Sequence, residues 1–158
     1  MAIIFDEQNK VFKLDTKTST YIFGVFTGDY LVHYYYGAPI PDTNVSKLRF
    51  RGHFASFSPD SPTAREKNFS PDVTPMEYST NGAGDFRISA FSVKNANGDT
   101  VTDLRYVSHK IYQGKKPLKG LPSLYLNNDD EADTLEVLTC DKVTGAEVTL
   151  IYTVFKDY

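Results

Sequence analysis

Two carboxylates, Glu77 and Asp85, flank the run Tyr78-Ser79-Thr80-Asn81-Gly82-Ala83-Gly84, and a pair of acids is what glycosidic cleavage requires. Two acids eight residues apart do not by themselves make such a pair. The blander reading gives both of them structural work. Asp85, following Gly84, makes a local turn or pairs with Arg87, and Glu77 pairs with a base. That reading is favoured, and catalysis by this pair alone is not expected.

Other chemistries fare worse. Gly82-Ala83-Gly84 lacks the third glycine and the following helix that present N–H groups to a phosphate, and reads as a turn. His33, His53 and His109 fall in three separate strand-like stretches with no second imidazole or thiolate at ligand spacing, so neither a metal nor any other cofactor is expected. Cys140, in an apolar run beside a turn, reads as a structural thiol rather than a nucleophile. Lys47 to Phe54 interleaves bases with aromatics, a pattern that would suit nucleic acid. Yet 17 basic against 20 acidic residues leave a net charge of −3, and the same alternation describes a half-buried strand. That charge balance gives no electrostatic reason to approach nucleic acid or an anionic membrane, and no stretch approaches the 18 apolar residues of a spanning helix, so neither partner is expected. The tyrosines, among them Tyr34-Tyr35-Tyr36, would stack on a sugar or line a subunit contact; filling a sandwich core is the favoured role.

The elements that must position these residues are strands. The chain has 158 residues, 41% hydrophobic and 23% charged, enough for a packed core and about one ordinary domain. A single cysteine excludes a disulfide framework and suits a reducing compartment. The N-terminus has no basic region ahead of its short apolar run, so the expected location is cytoplasmic. Period-two or β-branched runs mark strands at 11–14, 21–26, 30–36, 48–57, 86–90, 104–112, 135–140 and 148–155. Thr27-Gly28-Asp29, Asn95 to Asp99 and Asp141 to Gly145 supply tight turns, the last making a hairpin. No sustained helical periodicity appears. The expected fold is all-β, an antiparallel β-sandwich in preference to a closed barrel, with little helix. From Ser58 to Pro75 four prolines interrupt the pattern, which predicts a long loop and the segment most suited to touching a ligand or partner.

Thr18 to Val25 continuing through Gly28, Leu31 and His33 to Gly37, and above all Pro75-Met76-Glu77-Tyr78-Ser79-Thr80-Asn81-Gly82-Ala83-Gly84-Asp85-Phe86-Arg87, form a recognisable pattern. They resemble the N-terminal β-sandwich region of the family 36 glycoside hydrolases, the α-galactosidases. Gly114 to Leu118, Gly120 to Pro122 and Ala132 to Glu136 extend the resemblance over nearly the whole chain. Ser79 departs from it where many relatives have proline, which makes that turn less rigid. The resemblance implies that residues 1–158 are one N-terminal sandwich domain, part of a larger supersandwich that is cut short here. Its catalytic barrel, whose two aspartates cleave terminal α-galactosides of the melibiose and raffinose type with retention, then lies outside this sequence.

On that reading no residue here is catalytic. The domain braces the barrel, makes the subunit contacts of a homo-oligomer and rims the active site, with Phe57 as a ring for the sugar face and Arg65 as a hydroxyl-binding guanidinium. Glu77, Tyr78, Gly82, Gly84, Asp85 and Arg87 serve as a structural motif. The alternative is a module that binds carbohydrate or oligomerises on its own.

Overall fold

The computed structural model describes residues 2–45, 47–49, 69–82, 84–120 and 122–156. The first four strands form an antiparallel meander: β1 (Ile3–Asp6), β2 (Val11–Asp15), β3 (Thr20–Phe26) and β4 (Tyr30–Gly37) pair in chain order. Asp6 organises the first turn by accepting from the Asn9 side-chain amide at 2.8 Å and the Asn9 N–H at 3.0 Å. These bonds, with one from Thr43, hold its carboxyl down at about 2. Between β3 and β4 the chain reverses through Gly28 and Asp29 at φ 71° and 63°, the left-handed region that glycine enters freely and aspartate tolerates.

The second sheet has the order β5 (Arg105–Gln113), β6 (Ala132–Cys140), β7 (Glu147–Phe155), again antiparallel. Asp141 shapes the β6–β7 hairpin, accepting from the N–H groups of Val143 at 2.8 Å and Thr144 at 3.2 Å. It also accepts from the Asp103 N–H at 3.0 Å, which ties the start of β5 to the same turn.

The two sheets pack face to face, so the fold is the expected antiparallel sandwich, and among the described residues helix is confined to the single turns Thr27–Asp29 and Asp129–Glu131. Phe12, Leu14, Phe23 and Leu31 from the first sheet meet Leu135, Val137 and Val154 from the second. Each such side chain contributes roughly 1.5–3 kcal/mol over its exposed state. The first sheet is also covered on its far side, where Val11, Ile22 and Val45 pack together with Tyr34, Tyr35 and Ile40. Two covered faces explain why Val11 to Leu14 is buried at every position instead of at alternate ones.

Three expectations are corrected. Ile3–Asp6 is a strand that its brevity and the acid at its end disguised. Phe86 to Ala90 is not a strand: Phe86 and Ile88 are 70% and 98% exposed, and Arg87, also exposed, bonds through its guanidinium to Asp85 and the loop end. Asn95 to Asp99 does form its turn, with Gly98 donating to the Asn95 carbonyl at 2.9 Å, but no strand flanks it. Of the expected strand at 48–57, Leu48 and Arg49 are not extended in a ladder, and Phe50 to Phe57 lies outside the described residues. So does most of the proline-rich loop, whose end from Phe69 to Pro75 consists of turns.

Candidate functional site

The segment after that loop is held against the first sheet by its backbone. The His33 N–H donates to the Pro75 carbonyl at 2.8 Å, and the Glu77 N–H donates to the Leu31 carbonyl at 3.0 Å, with Val32 and Met76 bridged between them. Pro75, lacking an N–H, loses nothing on this added edge. The register turns the Glu77 side chain inward, where it is 5% exposed.

There Glu77 joins the two sheets. Tyr21 on β3 donates its hydroxyl to the carboxylate, 2.6 Å from Oε2 and 2.7 Å from Oε1, and Tyr152 on β7 donates to Oε1 at 2.7 Å. The His33 Nδ1 stands 3.8 Å from Oε2. Burial pushes the Glu77 carboxyl above its ordinary range, although the tyrosine hydroxyls and His33 pull the other way. Burial also raises the Tyr21 and Tyr152 hydroxyls, and the neighbouring carboxylate adds to the effect. Glu77 thus takes tyrosines as its partners, and its expected base is reduced to His33 beyond hydrogen-bond distance. The Tyr21 and Tyr152 rings also line an open cleft of about 420 Å3 with Tyr36, Thr16, Ser19 and Phe155.

Asp85 takes its expected partner. Arg87 Nε donates to Oδ1 at 3.0 Å and Nη2 to Oδ2 at 2.8 Å, a two-pronged pair with the Asp85 side chain buried. The same guanidinium donates to the Thr74 carbonyl at 2.8 Å and the Pro71 carbonyl at 2.7 Å, so it fastens the loop end to the motif. Gly82 and Gly84 adopt φ of 150° and 87°, and a Cβ on Gly82 would lie 2.8 Å from the Val101 side chain. Asp85 donates its N–H to the Gly82 carbonyl at 3.0 Å, closing the turn. Tyr78 sits at the rim, its hydroxyl 3.4 Å from the Ala90 carbonyl. Glu77 and Asp85 are therefore bound to separate partners, the tyrosines and Arg87, and both are spoken for in structural bonds.

His109 packs between Phe5 and Phe12, with ring centroids 4.2 and 4.9 Å away, and burial lowers its pKa. Among the described residues no three His, Cys, Asp or Glu side chains converge as metal ligands. Phe57, Arg65 and His53 lie outside the described residues. Sequence reasoning missed Tyr21 and Tyr152 as partners of Glu77. The available signal was a tyrosine on the core-facing register of an apolar strand, since a buried phenol needs an acceptor.

An antiparallel sandwich with a carboxylate clasp between its sheets and an ion-paired glycine turn at its margin defines a structural class of domain. The model of the glycosyl hydrolase family 36 N-terminal domain matches residues 29–158. The α-galactosidase AgaA of Geobacillus stearothermophilus is 39% identical over 158 residues, which is 100% of this chain and 21% of that protein. The crystal structure of the family 36 α-galactosidase AgaB from the same organism superposes with a TM-score of 0.88 at 40% identity, covering 100% of this chain and 21% of that one. A variant of AgaA in complex with raffinose gives 0.85 at 40% identity, covering 94% and 20%. The chain belongs to the glycosyl hydrolase family 36 N-terminal domain family, and it spans about a fifth of the length of these relatives.

Proposed function

We propose that this chain is the non-catalytic N-terminal sandwich of an α-galactosidase that hydrolyses terminal α-galactosides of the melibiose and raffinose type with retention. The observation that carries this reading is a similarity running end to end through the chain while covering only 21% of the relative. The commitment of Glu77 and Asp85 to structural bonds supports a non-catalytic role. Cleavage falls to a barrel carried elsewhere in the parent polypeptide; the sandwich braces that barrel, contributes subunit contacts and rims the pocket through Phe57 and Arg65. The working location is the cytoplasm, and among the described residues no helix is long and apolar enough to cross a membrane.

The test uses the full enzyme. Arg65→Ala is expected to lower kcat/KM on raffinose by about tenfold or more, the usual scale for losing a charged hydrogen bond to substrate. An unchanged kcat/KM counts against the rim, and hydrolysis of melibiose by the purified 158-residue chain overturns the non-catalytic assignment.

A further inference from the structure

We propose that the span from Phe86 to Ile88 is the surface through which this domain docks on the catalytic barrel of its own polypeptide. The inference rests on the α-galactosidase reading, under which that barrel lies in the part of the relatives, all but 21% of AgaA, that this chain does not match. An apolar side chain left bare forgoes the gain that drives folding, and bare ones are ordinary only where they are scattered. Phe86 and Ile88 are two residues apart. Val101, also exposed, stands at the same turn against Gly82, and exposed Val73 sits between Pro71 and Thr74, whose carbonyls Arg87 holds.

The span is not free to fold these side chains away. Before Ile88, the Asp85–Arg87 pair and the bonds from Arg87 to the loop end fix the backbone. After it, the Ala90 N–H donates to the Ser79 carbonyl at 2.9 Å and Phe91 bridges to Thr80. Ile88, 98% exposed, is thus presented on a chain held on both sides. A projection fixed in advance loses little freedom on binding, which favours a lasting contact. Asp85 and Arg87 cancel each other's charge, so the span offers apolar surface that suits an apolar hollow on the partner. The occupant follows from what shares the mount. The guanidinium that fixes the span also fixes Pro71 and Thr74, the end of the proline-rich loop, and the functional reading sets that loop at the rim of the barrel's pocket. A span fastened to the end of the loop meets the same body as the loop.

Two measurements on the full-length protein test the docking. With p-benzoylphenylalanine in place of Phe86, irradiation is expected to cross-link the span to a peptide of the barrel within one polypeptide, so that no band of doubled mass appears on a denaturing gel. In an Ile88→Cys variant, maleimide labelling read on the peptide carrying position 88 is expected to be at least about tenfold slower in the native protein than in urea, although the domain itself gives that position no cover. The labelling rate decides the matter if the benzophenone variant does not fold. Cross-links to a second polypeptide, or labelling as fast in the native protein as in urea, overturn the proposal. Both measurements read contact and not turnover. A protein that docks yet leaves melibiose and raffinose uncleaved therefore sinks the α-galactosidase reading alone, and one that cleaves them with position 88 open sinks the docking alone.

Discussion

Glu77 concentrates two opposed effects in one side chain. Leaving water disfavours the carboxylate, while two phenol donors favour it, and burial is the larger. A carboxyl whose folded pKa is raised binds its proton more tightly in the native chain than in the unfolded one. Between the ordinary value of 4.5 and the higher folded value, the native state then holds more protons, so stability falls as pH rises across that window. Glu77→Gln removes the titration but keeps the shape. Urea midpoints measured from pH 4 upward are expected to fall for the native sequence and to stay flatter for the variant; parallel curves would remove the assignment of this group.

At the scale of elements, the described residues between Pro71 and Arg87 form no strand, and beside the backbone bonds to β4 one guanidinium ties the two ends of the stretch together. Arg87 satisfies a buried carboxylate and two main-chain carbonyls at once. Arg87→Ala removes every side-chain bond to these acceptors but keeps the residue-87 N–H on Asp85, and because the guanidinium is 39% exposed, water offsets part of the loss; about 2 kcal/mol is expected. Denaturant unfolding checks this, and a loss below about 1 kcal/mol would show that water replaces the arginine. The same bonds explain why the segment was misread from sequence. Phe86-Arg87-Ile88 alternates like a half-buried strand, but all three residues are exposed in the fold, and the Arg87 guanidinium reaches back along the surface to Asp85 and the loop end. A periodicity offers two faces without showing that either of them is covered.

For the molecule as a whole, the hairpins were legible because their turns are local. Gly28 and Asp29, or Asp141 and Gly145, fix a reversal from residues within a few positions of one another. The sandwich followed from such hairpins and from runs of β-branched residues. The clasp did not, since Tyr21 and Tyr152 lie 56 and 75 residues from Glu77 and no spacing rule links them. The glycine motif itself stood out in the sequence, but the partners that give it purpose belong to the fold.

The unequal covering of the two sheets has a consequence in time. β2 lies between β1 and β3 and is screened above and below, whereas β5, β6 and β7 leave one face to solvent among the described residues. In deuterated buffer the amides of β2 should retain their protons longest and those of β5, no residue of which is fully buried, should lose them sooner. Uniform deuterium uptake across both strands would contradict that gradient.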